Sequence, residues 1–140
     1  MENNMWKVLG SWLLLIGIII SIIVGLIFGA NTALKTDENV TTPVMGLLAV
    51  LGFLVGVLSF FAVGTITKEK VPMFLIGTLI LIGLAASSPI WASAWGNILS
   101  EYLTNIVTYL AIFASPAAVL LAIRALWDAG VHKEALFKTK

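Results

Sequence analysis

The chain has 140 residues and a mass of 15.0 kDa; 60% of it is hydrophobic, 11% is charged, and its mean hydropathy is +1.07, where an ordinary soluble domain carries about 25% charged residues. Fifteen acids and bases cannot cover the surface of a water-soluble domain of this size, and a chain this apolar with a net charge of +1 is not a disordered one. That charge gives no field for nucleic acid, and the lack of cysteine removes disulfides, thiolate nucleophiles and cysteine metal sites.

Charges cut the sequence into four silent stretches: 8–34, 39–67, 71–100 and 102–123, of 27, 29, 30 and 22 residues. Each can supply the roughly 20 apolar residues that cross a bilayer, and none is long enough for two crossings. Continuous apolar runs favour helices over barrel strands, which alternate at period two. The expected fold is therefore all-α: an integral membrane four-helix bundle, up-down-up-down, in one domain with spans at about 8–30, 43–66, 72–90 and 102–126.

The first span follows Lys7. Its apolar stretch is longer than a signal-peptide core, and Gly29-Ala30-Asn31-Thr32-Ala33 offers no A-x-A cleavage site, so it is expected to remain as a span. Gly17, Ser21, Gly25 and Gly29 recur every four residues along it. The connection 35–42 leads to Pro43, which suits the first turn of the second span. Asn39-Val40-Thr41 is a glycosylation acceptor sequence, here taken as a chance match so close to a span.

The second span carries Gly52 and Gly56, with Gly64 two turns on. A short turn, Thr67-Lys68-Glu69-Lys70, leads to Pro72 and the third span, which holds Gly83 and Ser87. Residues 87–97 are uncharged but rich in small polar residues, with Trp91 and Trp95 four apart. They are expected to form a short interfacial segment at the headgroup level, between the third and fourth spans.

The fourth span has alanines at 111, 114, 118, 122, 125 and 129, a heptad-like seam. Glu101, Asn105, Thr108 and Ser115 fall within about 80° of one another on its wheel. Pro116 removes an N–H and leaves the carbonyl of Ile112 without its usual donor, which makes it the expected hinge. The tail holds His132, a lone solvated histidine with no second ligand for a metal.

An even number of spans puts both termini on one side. That side holds Lys7, Lys68, Lys70, Arg124, Lys133, Lys138 and Lys140, and the other holds Lys35 alone. The bias makes the shared side cytoplasmic, with Trp6 and Trp127 anchoring the inner interface and Trp91 and Trp95 the outer, and the plasma membrane the expected location. Arg124 is expected to snorkel to the inner headgroups.

In lipid, helices associate through close packing at small residues and through interhelical hydrogen bonds. Gly17, Ser21, Gly25, Gly29, Gly52, Gly56, Ala111, Ala118 and Ala122 are the expected packing positions. Seams on every span suggest a homo-oligomer or an accessory subunit of a membrane complex, with lipids and partner subunits as its surroundings. The alternative is a homo-oligomeric channel whose pore is lined by Glu101, Asn105, Thr108 and Ser115. No catalytic, phosphate-binding or metal motif occurs, so neither an enzyme nor a bound cofactor is expected. Familiar four-span classes each fail on a residue: the first span lacks the glutamate of small multidrug exporters, the fourth lacks the acid of rotary ATPase rings, and the paired cysteines of tetraspanins and claudins are missing.

Gly52–Gly56, the run Ile66-Thr67-Lys68-Glu69-Lys70-Val71-Pro72-Met73-Phe74-Leu75, and Pro116-Ala117-Ala118-Val119 together look like a group of small, uncharacterised four-span membrane proteins from archaea. The resemblance touches about a third of the chain; it implies a four-span fold and lends no function.

Overall fold

The computed structural model describes residues 2–61 and 69–137. Four of its helices are long and apolar enough to cross a membrane, and they overlie the four charge-free stretches. Helix α1 is Glu2–Ala30, α2 is the single turn Thr32–Thr36, α3 is Glu38–Phe60, α4 is Val71–Trp95 and α5 is Asn97–Phe137.

The second crossing helix begins five residues before the expected position. Asp37 is extended (φ −86°, ψ 101°), and its side chain accepts from the Asn39 N–H at 3.1 Å, satisfying one donor that the first turn leaves open. Glu38 adds an acid at the positive end of the helix. Pro43 therefore lies inside α3 rather than at its start. The expected end near residue 66 lies outside the described residues.

The expected interfacial segment between the third and fourth spans does not form separately. Helix α4 continues through Pro89 to Trp95. Membrane-type helices tolerate such a proline because neighbouring groups can satisfy the freed carbonyl. The chain turns at Gly96 instead (φ 82°, ψ 151°), a conformation essentially open to glycine alone. One residue thus separates α4 from α5, and α5 then runs unbroken through Pro116 for 41 residues, about 60 Å.

The four long helices do not form a square. Helix α5 is a hub: α1, α3 and α4 each pack along it, α1 also touches α3, and among the described residues α4 packs closely along no other long helix. One cluster joins Phe28, Leu48 and Tyr109, with the Phe28 and Tyr109 rings 5.2 Å apart and tilted by 51°. The second joins Val71 and Leu121, covered by Leu14, Phe74, Leu75 and Ala125. Large apolar side chains such as Ile19, Leu47, Leu79 and Leu126 remain exposed on every long helix. A surface of this kind suits lipid and would aggregate in water.

Candidate functional site

The small-residue seams are where the helices meet. A Cβ placed on Gly25 would lie 2.5 Å from the Cα of Ile106, and one on Gly29 would lie 2.7 Å from the Tyr102 ring. At Gly17 it would strike the Phe113 ring. The α1 numbers rise as the α5 numbers fall, so the two helices run in opposite directions. On α3, a Cβ at Gly52 would strike the backbone oxygen of Phe113, and one at Gly56 would lie 2.7 Å from the Ala117 Cα. These numbers rise together, so α3 and α5 run the same way. Phe113 is the node: its ring lies over α1 and its carbonyl faces α3.

Ser21, between the α1 glycines, is fully buried and donates to the Gly17 carbonyl at 2.7 Å. Along the alanine seam of α5, Ala111 and Ala114 are buried, and beyond them Ala117 and Leu121 are buried whereas Ala118 and Ala122 are half-buried. The sequence seam is thus rotated by about one residue beyond Ala114, because the glycines of α1 and α3 approach α5 from two sides and cover a wider arc than one partner would.

The polar stripe turns back on its own helix. Asn105 is buried, and its Nδ2 donates to the Glu101 carbonyl at 2.8 Å. Ser115 is half-buried and its Oγ lies 3.4 Å from the Ile112 carbonyl, the group that Pro116 deprives of an N–H. Thr108 is half-buried beside them. Glu101 itself reaches the opposite connection, 3.8 Å from Lys35 in a solvent-accessible ion pair. Among the described residues every buried side-chain nitrogen or oxygen has a hydrogen-bond partner.

Arg124 is the residue that the sequence pattern misplaces. Its side chain is only 13% exposed, and it turns inward. Its Nη1 donates to the Ser59 carbonyl at 2.5 Å, in the last turn of α3, and its Nε lies 4.0 Å from Asp128. The final carbonyls of a helix lack intrahelical donors and carry the negative end of the dipole, so a guanidinium fits there. A single sequence carries no signal for this contact, because it says neither where α3 ends nor which helix end lies beside Arg124.

Among the described residues, two openings lie beside α4. A cleft of about 370 Å³ between α1, α4 and α5 is walled by Leu14, Ile18, Phe74, Gly77, Thr78 and Phe113, among others, and is almost wholly apolar. The Thr78 hydroxyl in its wall donates to the Phe74 carbonyl at 2.9 Å. A second opening of about 210 Å³ is lined by Val71, Pro72, Leu121, Arg124, Ala125 and Asp128. Neither is lined by Asn105, Thr108 or Ser115.

Of the five tryptophans, Trp12 in α1, Trp95 at the end of α4 and Trp127 in α5 are exposed, while the side chains of Trp6 and Trp91 lie outside the described residues. Among the described residues no three His, Cys, Asp or Glu side chains come together to hold a metal ion. Comparison with protein-family models, curated proteins and solved structures finds no match for this chain.

Proposed function

We propose that this is an integral membrane protein that acts through helix–helix assembly, as a homo-oligomer or as an accessory subunit of a membrane complex, with α4 as its docking helix. In this reading the four spans run up-down-up-down. Both termini and the α3–α4 connection are cytoplasmic, because seven of the eight basic residues then share that side. The plasma membrane is the proposed location.

One observation carries the choice of α4. Only 6% of its spanning window is buried, against 28%, 28% and 33% for the other three. The glycine seams of α1 and α3 are already occupied by α5, so they are not free for a second protein. Helix α4 buries one stripe, Val71, Thr78 and the half-covered Phe74, Leu75, Leu81 and Ala85, against α5. Its opposite side presents Met73, Ile76, Ile80 and Gly83 at steps of three and four, and a Cβ on Gly83 would meet nothing within 4 Å. That spacing suits a left-handed helix crossing, with Gly83 allowing close approach. The polar stripe supports dry packing better than a water path, because Asn105 is buried and bonded to its own helix.

The chain has no cysteine, so single cysteines report cleanly. Oxidation of Ile76→Cys or Ile80→Cys in native membranes should give a cross-linked species, either a dimer or a conjugate with a partner subunit. Ile22→Cys and Leu54→Cys, on exposed faces of α1 and α3, should not. Equal cross-linking at all four, or none at any together with a monomeric mass in mild detergent, would defeat the assembly reading.

A further inference from the structure

We propose that α5 pairs with the α5 of a second copy, through the side that carries Asn105, Thr108 and Ser115, about a two-fold axis along the membrane normal. The inference rests on the membrane-spanning reading but not on the docking of α4, whose Met73–Gly83 face points away from α5 and stays free for a further contact.

The contacts of α5 show which side is left over. Tyr102, Ile106, Phe113 and Ala117 meet α1 and α3, and Leu121 and Ala125 pack with Val71 of α4. At about 100° per residue these six positions cover roughly 140° of the wheel, and the stripe of Glu101, Asn105, Thr108 and Ser115 is centred almost opposite to them. Beyond Ser115 the same side carries Val119, Ile123 and Leu126, each more than half exposed. Among the described residues α3 and α4 make no contact with each other, so the flanking helices do not meet over this side. The side of α5 that looks out on lipid is therefore apolar in one half and polar in the other.

Two of its polar groups are incompletely bonded. Asn105 is 5% exposed; it donates once, from Nδ2 to the Glu101 carbonyl, and its Oδ1 accepts nothing among the described residues. The half-buried Thr108 hydroxyl makes no hydrogen bond there either. No fully enclosed side-chain oxygen lacks a partner, so both free oxygens reach the outside of the bundle. Thr108 lies seven residues along from Glu101, about 10 Å deeper than the solvent-accessible pair with Lys35. At that depth an unpaired hydroxyl or amide is costly against hydrocarbon, and a protein partner relieves the cost.

Spacing and chemistry select a second copy as that partner. Asn105, Thr108, Ile112, Ser115, Val119 and Ala122 follow steps of 3, 4, 3, 4 and 3, a heptad register that suits a left-handed crossing of parallel helices. Copies of one chain insert with the same orientation, so a two-fold along the normal sets equal residues at equal depth. A hydroxyl donates and an amide oxygen accepts; the Thr108 hydroxyl of each copy serves the Asn105 Oδ1 of the other. An apolar partner helix would leave both oxygens open.

The test uses single cysteines oxidised in native membranes. Ser115→Cys and Val119→Cys should each give a covalent dimer, and Ile19→Cys and Leu47→Cys, on exposed faces of α1 and α3, should not. Thr108→Val keeps the shape but removes a hydroxyl from both copies, and should weaken dimerisation in liposomes by about tenfold, read by energy transfer between end-labelled chains. Val119→Trp, at a position open to lipid in the single chain, should abolish the dimer with helix content and melting unchanged. Dimers at all four cysteine positions or at neither stripe position, wild-type pairing by Thr108→Val, or a dimer that survives Val119→Trp would overturn the proposal. So would a Ser115→Cys conjugate with a different protein, or reaction of Thr108→Cys with a membrane-impermeant maleimide, which would put water in place of the second copy. Cross-linking at Ser115→Cys with none at Ile76→Cys or Ile80→Cys would support this pairing while defeating the docking of α4, and the reverse pattern would overturn this pairing alone.

Discussion

Adding one methyl group at Gly25 tests the hub arrangement directly. Carbon atoms rest at about 3.5–4.0 Å from each other, and the new Cβ would lie 2.5 Å from the Ile106 Cα, 2.8 Å from its N and 3.0 Å from its Cγ1. Two of those atoms are backbone and cannot rotate aside, so α1 and α5 must part by about 1 Å. Overpacking of this kind costs about 1–3 kcal/mol, and a backbone obstacle belongs in the upper half of that range. Removing a helix-interior glycine returns about 1 kcal/mol. The net loss for Gly25→Ala should be about 1–2 kcal/mol. Gly46 is the control, because a Cβ there meets nothing within 4 Å; Gly46→Ala should gain about 0.5–1 kcal/mol. In detergent micelles, melting followed by circular dichroism should separate the two variants by roughly 6–12 °C, one below wild type and one above. If both variants move the midpoint in the same direction, α1 does not pack on α5 through Gly25.

Three further outcomes follow from single contacts. Arg124→Ala leaves the Ser59 carbonyl without that donor and should cost about 1–3 kcal/mol; hydrogen exchange in the last turn of α3 should speed up, and Arg124→Lys should restore only part of the protection because it lacks the planar fork. Ser115→Ala should cost about 0.5–1 kcal/mol in the wild-type background and nothing in Pro116→Ala, where the restored N–H serves the Ile112 carbonyl, so a double-mutant cycle with zero coupling would refute the assigned bond. Lys35→Gln should change stability by less than about 1 kcal/mol, and raising the salt concentration should shrink even that, since the pair with Glu101 is solvent-accessible; a larger, salt-insensitive effect would contradict it.

The helical segments could be read from the sequence because charge is so costly in lipid that the charged residues gather at the chain ends, at 35–38, at 68–70 and at Glu101, leaving long silent runs between them. Helix ends were harder. Pro43 signals a first turn, yet Asp37 caps the helix earlier, and a single aspartate in a polar connection gives no sign that its side chain will turn toward Asn39. The small polar residues of 87–97 and the tryptophans four apart suggest a separate interfacial segment, whereas the backbone conformation at Gly96 is what ends the helix. The hub was invisible for a different reason. Helices that are apolar all round have no polar face to reveal which side turns inward. Glycine spacing marks a contact but not its partner, so Gly17, Gly25 and Gly29 were open to either a second protein or α5. Arg124 was read from its place near a helix end as a headgroup anchor, since nothing in one sequence tells that the end of α3 lies beside it.

The connection through α5 also fixes an order of events. It leaves the ribosome after α1, α3 and α4, and synthesis proceeds at about 5–20 residues per second. Until it arrives, among the described residues, α4 has no helix packed closely along it and α1 has only its limited contacts with α2 and α3. The earlier helices therefore wait, for some seconds, as loosely associated rods open to chaperones, to the insertion machinery or to a nascent partner. Commitment to the final shape comes only when the keystone is laid, and any chain cut short of residue 97 would stay in that waiting state.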